Sequence, residues 1–132
     1  MVAAPKILVF DSGVGGLSVL AALRERLPGC DFASACDNAA FPYGTKSEAE
    51  LIERVDRVLR QLVHLLAPDL VVIACNSAST LALPRLRAHC GKTRVERIEL
   101  AESVGLFEKI DFLLGKIERR LDQHAQPRQT LD

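Results

Sequence analysis

The 132-residue sequence predicts an α/β protein, a three-layer sandwich in which helices cover a small, mostly parallel sheet. Three observations lead there. Two strand-length apolar runs, ILVF at 7–10 and LVVIA at 70–74, are continuous rather than alternating, as expected of strands covered on both faces. Stretches of helical periodicity follow them. The whole then reads β-α-β-α-β-α, the pattern of right-handed crossovers between parallel strands.

The first strand begins at Lys6 and ends at Asp11, where a glycine-rich turn, SGVGG at 12–16, opens an amphipathic stretch with Leu17, Leu20, Leu23 and Leu27 on one side. Pro28 and Gly29 stop that helix. A weaker strand, 31–36, reaches a second acid, Asp37, and the loop 38–44 has turn chemistry, with Pro42 and Gly44 bracketing Tyr43. Ser47 then starts a long helix. Glu50 stands three residues later in capping-box spacing, and Leu51, Val55, Val58, Leu59, Leu62, Leu65 and Leu66 recur at helical intervals. Pro68 and Asp69 end it and lead into the strand 70–74.

A third helix is expected over 77–89, with Pro84 inside it. Residues 94–100 alternate charged and apolar side chains as an edge strand would, and 104–121 place Phe107, Ile110, Leu114, Ile117 and Leu121 on one helix face. The expected strand order is 2-1-3, flavodoxin-like, with 94–100 available as a fourth strand. One domain over 1–123 and a frayed tail over 124–132 complete this organisation.

Composition excludes several function classes. Lys plus Arg and Asp plus Glu are 17 each, so no basic footprint marks a nucleic-acid or anionic-membrane partner. The apolar runs are too short to span a bilayer. MVAAPKILVF at the N-terminus lacks the long apolar stretch of an export signal, which predicts a cytoplasmic protein. Among Cys30, Cys36, Cys75 and Cys90 there is no C-x-x-C pair, so neither a disulfide framework nor a zinc site is expected.

Chemistry concentrates at three strand ends. Residues 70–80, LVVIACNSAST, carry an apolar strand directly into Cys75 and then into small polar residues that open a helix. Unpaired backbone N–H groups and the helix dipole at such a junction favour thiolate, the reactive form, although free cysteines are as often simple buried hydrophobes. Asp11 with Ser12, the segment 37–44 and Cys75 to Ser77 all fall at carboxyl ends of strands, where open α/β sheets bind ligands. Asp11 either serves a ligand or caps the helix after the glycine turn. That turn fails the dinucleotide fingerprint, since Ser18 stands at its last glycine position, and it lacks the Walker spacing. It remains suited to a carboxylate. Tyr43 either packs over the sheet edge or touches a substrate, and His64, His89 and His124 read as solvated or packing residues.

Asp11 to Leu17 (DSGVGGL), Asp37 to Gly44 (DNAAFPYG) and Ala74 to Ser79 (ACNSAS) together resemble the three signature segments of the first domain of glutamate racemases, in the aspartate/glutamate racemase superfamily. The resemblance covers residues 6–88. It implies cofactor-independent interconversion of L- and D-glutamate for peptidoglycan, with glutamate as the small-molecule substrate. It implies that Cys75 is one of two catalytic cysteines and that Asp11, Ser12, Tyr43, Gly44 and Asn76 are substrate-binding positions. Ser77 stands where the family usually has threonine and keeps the hydroxyl. Asp11 beside the thiol would orient a group or handle a proton, yet its charge would also oppose thiolate formation.

Racemisation needs a base on one face of the α-carbon and an acid on the other. The family's second cysteine lies in a Cys-Thr-His segment of a second domain, and neither has a counterpart in this sequence. Cys30, Cys36 and Cys90 could replace it only in principle, Cys36 beside Asp37 being the least implausible. The expectation is therefore a racemase-type protein with impaired activity as a short chain, its site completed, if at all, by another chain. The alternative is a non-catalytic acid-binding or interaction module on the same fold. An exposed apolar crevice edge is expected to favour a homodimer.

Overall fold

The computed structural model describes residues 4–12, 16–40, 45–90, 93–97, 115 and 118–119. Its elements run β1 (Lys6–Asp11), α1 (Gly16–Arg26), β2 (Asp31–Cys36), a single 3₁₀ turn (Asn38–Ala40), α2 (Glu48–Leu66), β3 (Leu70–Ile73), α3 (Asn76–Leu81), α4 (Leu83–His89) and β4 (Arg94–Arg97). The four strands form one sheet in the order β2-β1-β3-β4, with every pairing parallel. This is the expected flavodoxin-like 2-1-3 order with the fourth strand at the edge.

Side-chain alternation on the central strands sorts the core into two layers. Leu8 and Phe10 of β1 and Val71 and Ile73 of β3 pack with Leu51, Val55 and Leu59 of α2 and with Ala78, Leu83 and Leu86 of α3 and α4. Ile7, Val9, Leu70 and Val72 point the other way, onto Val19 and Leu23 of α1. Both strands are thus sealed on both faces, which explains why their sequences are continuous apolar runs.

The long helix starts as its local sequence dictates. Ser47 Oγ accepts the Glu50 N–H at 3.3 Å and the Glu50 carboxylate accepts the Ser47 N–H at 3.2 Å, a reciprocal capping box. At the far end Ala67 adopts a left-handed conformation, φ 45° and ψ 54°, while its N–H reaches the Val63 carbonyl. A Cβ is disfavoured there. Replacing Ala67 with glycine is expected to stabilise the fold by about 1 kcal/mol, read as a rise in melting temperature.

Three expectations are corrected in detail. Leu17 is half-exposed, because α1 buries Gly16, Val19 and Leu23, and Leu17 lies one residue round the helix from that stripe. Leu65 is exposed too, because it lies one residue round α2 from Leu66, which with Leu62 still packs on the core. The third helix is two helices. Pro84, without an N–H and in conflict with the carbonyl four residues back, cannot sit inside a continuous helix, so α3 ends at Leu81 and α4 restarts with Pro84 in its first turn. Of the helix expected over 104–121 only residues 115, 118 and 119 are described, and each is helical. The tail at 124–132 and the strand residues 98–100 lie outside the described residues.

One buried acid joins the helices on the α2 side of the sheet. Asp56 of α2 is almost fully buried and meets His89 Nδ1 at 3.1 Å, Arg85 at 3.4 Å and Arg60 at 3.5 Å, so α2 and α4 share its charge.

Candidate active site

Register brings the ends of β1, β2 and β3 to one edge. Asp11 pairs with Cys36 and Phe10 with Ile73, and the chain leaves the sheet with Ala74 N–H on the Phe10 carbonyl at 2.8 Å and Asp37 N–H on the Asp11 carbonyl at 2.9 Å. This is the carboxyl edge of a parallel sheet, where ligands of open α/β folds collect.

Asp11 is buried, and both of its oxygens are engaged. Oδ1 accepts the Ser12 N–H at 2.7 Å and Oδ2 accepts the Gly16 N–H at 2.6 Å. The carboxylate therefore grips both ends of the glycine turn and caps α1, the contact expected of a capping residue. Gly16 permits this closeness: a Cβ there would lie 3.0 Å from Asp11 Cβ and 3.5 Å from Ala74 Cβ. Residues 13–15 lie outside the described residues.

Cys75 follows β3 as the N-cap of α3, in extended conformation and 7% exposed. Its side chain makes no capping bond to α3. Instead the thiol donates to Ser12 Oγ at 3.4 Å, across 63 residues of sequence. Asp11, Ser12 and Cys75 are thus joined in one chain of contacts. Asn76 and Ser77 form the first residues of α3 by their backbone. Tyr43 and Gly44 lie outside the described residues.

The remaining cysteines divide by position. Cys30 precedes β2 and Cys90 precedes β4, so both sit near the amino edge, a strand length from Cys75. Burial pushes the Cys30 thiol up, helped by Asp31 and Asp69, and burial with Asp56 does the same to Cys90 against the opposing Arg60, which keeps both protonated at neutral pH. Cys36 is exposed at the carboxyl edge. Ala33 and Ala35 pack on the α2 face of the sheet and Phe32 on the α1 face, so alternation assigns Cys36 to the α1 face, whereas Cys75 joins the α2 face.

One participant escapes sequence reasoning. Arg54 of α2 clamps Asp37 with two bonds, Nε to Oδ2 at 2.9 Å and Nη2 to Oδ1 at 2.7 Å. The signal available was a charge three residues after Leu51 in an otherwise apolar stripe, which marks a side chain near the sheet but names no partner.

Fold and site together define an α/β protein with a buried thiol at the carboxyl edge of a parallel sheet, hydrogen-bonded to a serine held by an aspartate. No family model matches the chain. Individual relatives do: it is 57% identical to a glutamate racemase of Shewanella loihica over 82 residues, covering 62% of this chain and 31% of the relative. A glutamate racemase of Erwinia tasmaniensis is 56% identical over 84 residues, covering 64% and 30%. Among solved structures, Escherichia coli glutamate racemase in complex with L-glutamate and the activator UDP-MurNAc-Ala superposes with a TM-score of 0.68 at 46% identity, over 72% of this chain and 35% of that one. The Aquifex pyrophilus glutamate racemase gives a TM-score of 0.66 at 38% identity, over 70% and 36%. The chain is homologous to the glutamate racemases, and it spans about a third of the length of the relatives it matches. Among the described residues no helix is long and apolar enough to cross a membrane.

Proposed function

We propose that this chain carries one half of the acid/base chemistry of a cofactor-independent glutamate racemase, acting in the cytoplasm to supply D-glutamate for peptidoglycan. The observation that carries this reading is the placement of Cys75 at the carboxyl edge of β3, its thiol on Ser12, in a chain homologous to racemases. Cys75 takes the α-hydrogen of glutamate as a proton, or returns one, on a single face of the α-carbon. Asp11, Ser12, Tyr43, Gly44, Asn76 and Ser77 surround the substrate carboxylates and amine in the same reading. Inversion needs a second group on the opposite face. Among the described residues no other cysteine shares the face of Cys75 at this edge, so in this reading the second group comes from outside them, a second copy of the chain being one source.

That placement also supports a second reading, an acid-binding module without turnover, and one experiment separates the two. L-glutamate in deuterated water is incubated with the wild-type chain and with Cys75→Ala, inversion being followed by circular dichroism and loss of the α-hydrogen by NMR. The expected result is slow α-hydrogen exchange with little inversion, abolished in Cys75→Ala. Saturable glutamate binding without exchange would leave the binding module. Rapid inversion by a monomer would mean that the second acid lies within this chain.

A further inference from the structure

The geometry points to Asp11 as a positioning residue that acts on Cys75 through Ser12, not as a proton carrier or as a charge felt by the sulfur. The inference rests on the reading of Cys75 as the reacting group. It assigns its neighbours an order: carboxylate, then serine, then thiol.

Consider what each atom of Asp11 is free to do. A carboxylate that shuttles a proton to sulfur needs a lone pair directed at the sulfur. Here Oδ1 faces the Ser12 N–H at 2.7 Å and Oδ2 the Gly16 N–H at 2.6 Å, and the side chain is buried with them. Each oxygen is thus taken up by a backbone donor, and the hydrogen bonds of the carboxylate run to the turn and not to the sulfur. What the carboxylate does fix is the backbone of Ser12, and with it the hydroxyl that accepts from the Cys75 thiol at 3.4 Å.

A hydroxyl can serve both states of the sulfur. Its oxygen accepts from the thiol, and after the proton leaves, the same O–H rotates to donate to the thiolate. The sulfur thus keeps a partner on both sides of proton transfer, provided that Ser12 is held in place. Cys75 makes no capping bond to α3, which leaves Ser12 as its hydrogen-bonding side chain among the described residues. A through-space role for the Asp11 charge would have the opposite sign, since a nearby anion disfavours thiolate. The two mechanisms are therefore separable by direction.

The test uses alkylation of Cys75 by iodoacetamide, quantified on the peptide that contains it, and needs no glutamate. Ser12→Ala is expected to slow the reaction about fivefold at neutral pH, with the loss vanishing at alkaline pH where the thiol is ionised in every variant. A change of access alone would persist at all pH values. Ser12→Thr, which keeps the hydroxyl, should react like wild type. Asp11→Asn should slow alkylation to a similar degree and add nothing to Ser12→Ala in the double variant, the signature of two residues acting in one chain. Faster alkylation in Asp11→Asn, or a loss that adds to that of Ser12→Ala, would overturn the proposal. Should Asp11→Asn fail to fold, Gly16→Ala crowds the Asp11 side chain, 3.0 Å from its Cβ, without neutralising it, and any slowing of alkylation must likewise add nothing to Ser12→Ala. Racemase chemistry can fail while this pattern holds, and the reverse, so the two ideas fail separately.

Discussion

Phe10→Ala is expected to lower the stability of the fold by about 4 kcal/mol, a large part of what a single domain of this size possesses. The ring is fully buried on the central strand β1, flanked by β2 and β3, and packs among Leu51, Val55 and Leu59 of α2 and Ile73 of β3. Those neighbours come from elements held by the sheet and by a capped helix, so they cannot collapse into the space the ring leaves. The cost therefore includes a cavity as well as lost transfer energy. Leu65→Ala removes an apolar side chain of the same sequence stripe, yet that leucine is 77% exposed and its loss should cost no more than about 0.5 kcal/mol. Urea unfolding followed by far-UV circular dichroism measures both. A Phe10→Ala midpoint close to that of Leu65→Ala would contradict the packing described for β1.

The contrast between Phe10 and Leu65 also shows what a single sequence can disclose. Periodicity identifies a stripe on α2, but how wide a band is covered depends on what lies beneath it: Leu62 and Leu66 still pack on the core, whereas Leu65, on the flank of the stripe, is exposed. The same holds for Leu17 of α1. Signals confined to a few residues were legible in full: the Ser47 and Glu50 capping box is local chemistry and is present as expected. The strand order was legible for a different reason. Continuous apolar runs imply strands covered on both faces, and crossover handedness leaves few orders to choose among.

The candidate site divides along the same line. Asp11 and Ser12 meet Cys75 across 63 residues, and this was foreseeable because parallel strands gather their carboxyl ends at one edge whatever their separation in sequence. What each side chain does there was not foreseeable. The sequence left Asp11 between capping and chemistry, and only the positions of the Ser12 and Gly16 N–H groups show both of its oxygens engaged. Asp37 was visible as an acid at a strand end, whereas its partner on α2 obeys no local spacing.

That partner carries the second large prediction. Arg54→Ala is expected to destabilise the fold by about 3 kcal/mol, more than a surface ion pair would cost. The Asp37 side chain is only 4% exposed, so removing the guanidinium strips a nearly buried carboxylate of its bidentate partner. Arg54 itself is 32% exposed, and water entering its place keeps the cost at the lower end for a buried pair. Arg54→Lys keeps the charge but not the planar fork, and should fall between wild type and alanine. The damage should also be local to the crevice. Asp37 donates its N–H to the Asp11 carbonyl at 2.9 Å, and its own carbonyl accepts from Ala40 at 3.2 Å, so it is the joint between β1 and the turn Asn38–Ala40. Hydrogen exchange at the Asp37 and Ala40 amides should accelerate in Arg54→Ala beyond what the change in global stability accounts for. If both amides track global unfolding alone, or if the variant melts within about 0.5 kcal/mol of wild type, the clamp is a surface contact and the edge of the crevice is held by the sheet.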